Sequence, residues 1–247
     1  MPAKIALFGA TSAIAAELAR RYAARGDRLY LVGRNPEKLA RLVAELGTAV
    51  IGHARQDFDR TDQADGCVAA AIAALGGLDI AVIAHGLLGD QLSSESRIDV
   101  AEQIARTNYL GVQALLIPLA NHLEQRHGGR LVVLSTVAAD RGRPRNYTYA
   151  AAKAALNVYL QGLRSRLLAS GVTVHTIKLG PVDSPMTVGH ARNALFAQVP
   201  AVARQIERAV DRRVAVAYVP GYWRWVMLVV RNLPEWVFQR VKGLSGR

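Results

Sequence analysis

The sequence predicts an α/β fold, a single domain built on a doubly wound parallel sheet of about seven strands. Three observations carry this. Apolar runs of strand length recur at residues 4–8, 28–32, 48–52, 79–83, 130–134, 172–177 and 214–219, with helix-like segments between them. Such alternation implies a parallel sheet covered on both faces. At 247 residues the chain fits one domain with a sizeable core, and no internal repeat, low-complexity tract or long linker divides it.

The first unit is the most informative about a ligand. AKIALF reads as a strand, GATSAIAAELARRYAARG as a turn and then a helix closed by Gly26, and RLYLV as the second strand. Small residues at Gly9, Ala13 and Ala15 would let backbone approach a pyrophosphate, which the unpaired N–H groups of a helix N-terminus attract. Tight packing of strand on helix would leave the same sequence, so this turn alone decides nothing. The second strand ends in LVGRNPEKL, with Gly33, Arg34 and no acid until Glu37. A carboxylate there would accept bonds from a ribose diol, whereas an arginine pairs with a 2′-phosphate. NADPH is therefore expected over NADH, the alternative being that Arg34 is a solvated residue at a helix start.

A second constellation lies in NYTYAAAKAAL, where Tyr149 precedes Lys153 by four residues. On a helix this spacing stacks both side chains on one face, so the ammonium is expected to favour the ionised phenol and let it exchange a proton near neutral pH. Chance would also produce such a pair, and its weight comes from its surroundings. The single Cys67 excludes an intrachain disulfide and reads as a small buried hydrophobe.

Several pieces occur in one order: GATSAIA after the first strand, QDFD with Asp57 after the third, AHG at 84 to 86, TNYLG with Asn108, LVVLSTVAADRG, then Tyr149 and Lys153, then LGPVDSPM. Together they resemble the short-chain dehydrogenase/reductase family over the chain to about residue 210. The resemblance implies a Rossmann-type domain and cofactor contacts from Gly9, Thr11, Ser12, Ala13, Ile14, Arg34, Asp57, Phe58, Ala84, Gly86, Tyr149, Lys153, Pro181 and Val182. Within it Asp57 would accept a bond from the adenine amino group, although a turn or capping aspartate reads the same way. Hydride delivery to a ketone builds charge on oxygen and needs a proton donor there. The resemblance makes Tyr149 that acid, Lys153 its partner and the holder of the nicotinamide ribose, and Asn108 the residue that retains a relay water. The family's serine lies thirteen residues before its tyrosine, which here is Thr136, with Ser135 in reserve; a threonine hydroxyl has the same hydrogen-bonding capacity. His85 is read as filler, and no metal site is expected.

The C-terminus departs from the common family pattern. All three tryptophans, Trp223, Trp225 and Trp236, fall in VAVAYVPGYWRWVMLVVRNLPEWVFQRVKGLSGR. From Arg192 onward ten basic residues face three acidic ones, a net of +7 out of the chain's +12. A basic, Trp-containing amphipathic segment can lie in a membrane interface. A docked helix over the pocket and a subunit contact are the competing readings. Residues 1–220 are thus expected to form the dinucleotide-binding and catalytic domain, and 221–247 a C-terminal helical extension. With the STVAADRGR loop and GPVDSPM, this end resembles bacterial reductases related to decaprenylphosphoryl-2-keto-pentose reductase, which act on a lipid-linked keto sugar beside the membrane.

The expected activity is NADPH-dependent reduction of a ketone or keto sugar, small or lipid-linked. The alternatives are a reductase of soluble or acyl-type ketones and a non-catalytic NADP-binding regulator. Nucleic acid is not expected as a partner despite the pI of about 10.4, because the basic residues interleave with apolar ones and no nucleic-acid motif accompanies them. The apolar start, MPAKIALFGATSAIAA, holds the first strand and turn, so it is read as part of a cytoplasmic fold and not as a leader. Helices near 97–125 and 149–169 resemble those through which the family pairs subunits, implying a homo-oligomer.

Overall fold

The computed structural model describes residues 2–185 and 196–240; Met186, Arg192, Lys242 and Arg247, which enter the reading above, lie outside them. In chain order the elements are β1 (Lys4–Phe8), α1 (Ala13–Ala24), β2 (Arg28–Gly33), α2 (Pro36–Leu46), β3 (Val50–Arg55), α3 (Ala64–Leu75), β4 (Ile80–Ile83), α4 (Gln91–Ser96) and α5 (Ile98–Ala105). A π-helical turn (Arg106–Leu110) leads into α6 (Gly111–Gln125), followed by β5 (Gly129–Thr136), α7 (Tyr147–Leu167) and β6 (Val172–Leu179). The short strands β7 (Val182–Asp183) and β8 (Ala197–Gln198) pair with each other, then come α8 (Val199–Asp211), β9 (Val216–Val219), α9 (Trp223–Asn232) and α10 (Glu235–Arg240).

Seven strands form one sheet in the order β3-β2-β1-β4-β5-β6-β9, and every pairing is parallel. The chain builds outward from β1 to β3, then crosses to the other side of β1 to place β4. That reversal opens a crevice at the carboxyl ends of β1 and β4, where open α/β sheets bind ligands.

Strand pleating explains why β1 is apolar throughout. Ile5 and Leu7 face one layer, with Leu18 of α1, Leu39 of α2 and Ile206 of α8, while Ala6 and Phe8 face the other, with α3, α6 and α7. Both faces are dry, so a truncation such as Leu7→Ala is expected to cost about 2–5 kcal/mol. Cys67 is buried on α3, as expected, and burial pushes its thiol up to about 11.

Two strand starts lie two residues later than the sequence reading. The third strand starts at Val50, because Gly47, at φ +54, ends α2 and Gly47–Ala49 form a 3-10 turn. The last strand starts at Val216, because the N–H of Val214 still donates to Ala209 O and closes α8.

The C-terminal helices dock on the loop that follows β5. Trp223, Met227, Val230 and Phe238 pack with Val137 in a small cluster of their own. Arg141 donates to the carbonyls of Val230 (2.7 Å) and Leu233 (2.6 Å), which end α9, and pairs with Glu235 at 2.7 Å. Beneath them Asp140 pairs with Lys178 and accepts a 2.7 Å bond from the Tyr218 hydroxyl. Among the described residues no helix is long and apolar enough to cross a membrane.

Candidate active site

A cavity of about 300 Å³ lies in the crevice between β1 and β4. Its wall at the β1–α1 turn is made by Gly9, Thr11, Ser12, Ala13 and Ile14. Gly9 adopts φ +84, and a Cβ there would sit 2.6 Å from the backbone nitrogen of His85, so no other residue fits. Ser12 caps α1 by accepting from the Ala15 N–H at 3.3 Å, and the first turn carries no acid. The helix N-terminus at the cavity edge therefore favours an anion.

At the end of β2 the wall is cationic. Arg34 and Lys38 both line the cavity, and neither forms an ion pair among the described residues. Asn35 sets their spacing: it caps α2 by accepting from the Lys38 N–H at 2.7 Å, with Pro36 opening the helix. Ala84, His85 and Gly86, which follow β4, form the floor. The His85 ring is stacked on Phe58, with centroids 4.2 Å apart and planes 9° from parallel.

Tyr149 and Lys153 line the other end from one face of α7. Lys153 is buried and donates to Leu134 O at 3.2 Å. The Thr136 hydroxyl lies beside the Tyr149 phenol, donates to Leu179 O at 3.4 Å and accepts from the Ala138 N–H at 3.1 Å. Ser135 Oγ instead donates to Asn157 Oδ1 at 2.7 Å. Burial pushes the Tyr149 phenol up to about 12, against a smaller opposing effect of the Thr136 hydroxyl, and burial lowers Lys153 to about 8. The expectation that the ammonium holds the phenol in its ionised form is thus reversed. Burial is the largest cause and Lys153 is not among the causes, so Tyr149 keeps its proton at neutral pH.

The cavity wall omits several residues named from sequence. Asp57 is exposed and accepts from the Asp59 N–H at 3.1 Å, which is the turn role. Pro181 accepts from Ala197 N–H at 3.0 Å, and Val182 is packed into the core beside α8, so neither reaches the cavity. Asn108 sits in the π-helical turn, fully buried behind the wall. Its amide donates to Ile104 O (2.8 Å) and Leu87 O (2.6 Å), and its oxygen accepts from Leu87 N–H (3.1 Å), tying the chain after Gly86 to the helix. Thr136 is outside the wall, beside Tyr149. The wall adds Lys38, His85, Leu134, Leu179, Ser184 and Pro185, and of the two candidates for the family's serine it holds the reserve, Ser135, and not Thr136. Of these, Lys38 was accessible to sequence reasoning as a cation four residues after Arg34 on a helix start.

The short chain dehydrogenase family model matches residues 3–194. An uncharacterized oxidoreductase of Streptomyces coelicolor is 36% identical over 244 residues, covering 97% of this chain and 96% of its own. One from Mycobacterium tuberculosis is 36% identical over 243 residues, covering 97% of each. Among solved structures, actinorhodin polyketide ketoreductase with NADPH superposes with a TM-score of 0.79 at 22% identity, over 90% of this chain and 98% of that one. A short-chain dehydrogenase from Streptomyces avermitilis gives 0.81 at 21% identity, over 96% and 97%.

Proposed function

Because the chain belongs to the short-chain dehydrogenase family, and so is an NAD(P)-dependent oxidoreductase, we propose that it reduces a ketone at the expense of NADPH, with Tyr149 as the proton donor. The observation that carries this reading is Tyr149 beside Lys153 at one end of a cavity whose other end holds Arg34 and Lys38. A dinucleotide fits these residues. Gly9 leaves the space a Cβ would fill, the α1 N-terminus takes the pyrophosphate, and the two cations take a 2′-phosphate. When bound, NADPH supplies the hydride. The carbonyl carbon accepts it while the carbonyl oxygen takes the Tyr149 proton, which yields an alcohol. Thr136 lies beside the phenol, and Lys153, held by Leu134 O, lies beside the ribose end. Asn108 positions the backbone after Gly86 through its bonds to Leu87. The polyketide ketoreductase among the structural neighbours supports both the ketone and the phosphorylated cofactor.

The finer reading concerns the substrate and place of work. The outer face of α9 and α10 exposes Trp225 (65%), Leu228, Val229 and Trp236 (64%), and the guanidinium groups of Arg224 and Arg240 lie 5.6 and 5.8 Å from the two indole rings. Aromatic anchors flanked by arginines suit an anionic bilayer surface, which supports a cytoplasmic reductase peripheral to the inner face of the membrane and a lipid-linked keto sugar as substrate. Trp223 is withdrawn from that set, being only 5% exposed and packed on the body of the protein. In this reading residues 1–220 catalyse and 221–247 are the attachment. Ile117 of α6 and Val158 of α7 are exposed on the neighbouring helices that would pair subunits in a homo-oligomer. A reductase of soluble or acyl-type ketones would have the same cavity without using the C-terminal face.

The test is NADPH oxidation across a panel of ketones that includes polyprenyl-phosphate keto sugars. Turnover of a ketone with NADPH supports the reductase. Turnover of soluble ketones alone removes the lipid-linked substrate, and no turnover with any ketone removes the activity.

A further inference from the structure

We infer that Gln91, at the start of α4, is a positioning residue for the reaction: it caps the helix that carries Tyr149 and so sets where the phenol stands in the cavity. The inference rests on the reductase reading.

The helix α7 lacks the cap that its own sequence could supply. Asn146 stands at its N-cap, yet the side chain accepts no bond from the first turn, and its Oδ1 is buried without a hydrogen-bond partner. An N-cap side chain ordinarily satisfies the N–H of the second or third helical residue. In α7 these are Thr148 and Tyr149. The Thr148 N–H donates instead to Gln91 Oε1 at 3.1 Å, from an element 57 residues away in the chain. A second bond runs beside it, with Ser94 Oγ 2.9 Å from Thr148 Oγ1. Ser94 uses its one proton on Gln91 O at 2.8 Å, so Thr148 is the donor in that pair. Both bonds end on the residue that precedes Tyr149.

α4 is itself fixed to the body of the protein. Asp90 caps it by accepting from the Ser93 N–H at 2.8 Å. Upstream, Asn108 holds Leu87 through both its N–H and its carbonyl, and Gly89 packs so closely on Ile104 that a Cβ there would clash with the isoleucine side chain. Gln91 therefore ties the first turn of α7 to a segment anchored beyond the cavity floor. Tyr149 lies in that turn, whereas Lys153 lies one turn further on and is held separately by Leu134 O. Loss of the cap should move the phenol and leave the lysine in place. The consequence is kinetic, because a displacement of about 1 Å at a reacting group can cost about a hundredfold in rate. The residues at the adenosine end of the cavity are untouched.

The test uses the whole protein and a ketone that the wild type reduces, and it reads kcat, the NADPH dissociation constant and amide exchange of residues 147–152. Gln91→Ala removes the acceptor; Gln91→Glu keeps one at the same reach. Gln91→Ala is expected to lower kcat by about tenfold, to leave the dissociation constant unchanged and to speed exchange across the first turn of α7. Gln91→Glu is expected to recover most of the rate. If Gln91→Ala does not fold, Gln91→Met, similar in length and without a strong acceptor, takes its place. A near-normal kcat in the variant that lacks the acceptor overturns the inference even where its melting temperature falls, and so does an equal loss in Gln91→Glu. Exchange that stays at the wild-type rate overturns the cap itself, whatever the turnover. Wild-type protein that reduces no ketone defeats the reductase reading and with it the role of Gln91; the exchange measurement needs no turnover and so tells that failure from failure of the cap.

Discussion

The Ser135 hydroxyl donates to the Asn157 amide oxygen at 2.7 Å, while the adjacent Thr136 hydroxyl lies beside the Tyr149 phenol and donates to Leu179 O at 3.4 Å. Ser135 faces the middle of α7 through Asn157, whereas Thr136, the last residue of β5, sits beside the tyrosine in the first turn of that helix. Thr136→Ala is therefore expected to lower kcat by about a hundredfold, as loss of a positioned donor does, and Thr136→Ser to retain most of it. Ser135→Ala should leave kcat near wild type and reduce stability by about 1–3 kcal/mol, since it strands the buried Asn157. Equal activity in the two Thr136 variants would remove it from the mechanism.

Arg34 and Lys38 give two cations at the place where a 2′-phosphate would lie. NADPH should bind at least about tenfold more tightly than NADH. Arg34→Ala should erase most of that gap and Lys38→Ala a smaller part, because the planar guanidinium engages phosphate through two bonds. Fluorescence titration reads both, and a wild-type preference for NADH would contradict the assignment.

The neutral, buried His85 also sets an acid limit. Its pKa is near 3 in the folded protein against an ordinary 6.5. Between these values the unfolded chain binds a proton that the native state refuses, so this residue's contribution to stability is lost as pH falls from 6.5 towards 3. Urea unfolding of the protein without cofactor should show a steeper decline across that window for wild type than for His85→Phe. Parallel curves would mean that the histidine is protonated or hydrated in the native state.

Much of the fold was readable because buried parallel strands announce themselves as continuous apolar runs, and because Gly26 marks a helix end locally. The start of β3 was misplaced by two residues because Thr48 and Ala49 are compatible with a strand but follow a positive-φ glycine. Of the residues named from sequence, Gly9, Arg34, Tyr149 and Lys153 line the cavity, while Asp57 and Val182 do not, since a turn aspartate and a core valine look the same in sequence as cavity-lining residues. The sense of the Tyr149 shift was also out of reach. It depends on how completely both side chains are desolvated, which only the packed structure sets. The same holds for the tryptophans: Trp223 and Trp225 are two residues apart, which on a helix turns one inward and the other to solvent.

The outward face of the C-terminal helices predicts binding to anionic vesicles at low salt that weakens as salt rises. Trp225→Ser with Trp236→Ser should abolish sedimentation with vesicles and leave reduction of a short soluble ketone intact. Trp223→Ser should instead lower thermal stability, because that indole packs against Val137 and Gly180. Wild-type protein that stays in the supernatant at low salt would remove the membrane reading and with it the main support for a lipid-linked substrate.

The central claim is that Tyr149 delivers the proton to a ketone reduced by NADPH, and Tyr149→Phe isolates that step because it removes the hydroxyl and leaves the ring. The measurement is steady-state NADPH oxidation by the variant with a ketone that the wild type reduces, alongside its NADPH dissociation constant. The account predicts an unchanged dissociation constant and a kcat lower by about two orders of magnitude or more. A variant that turns over at a near-normal rate would contradict it.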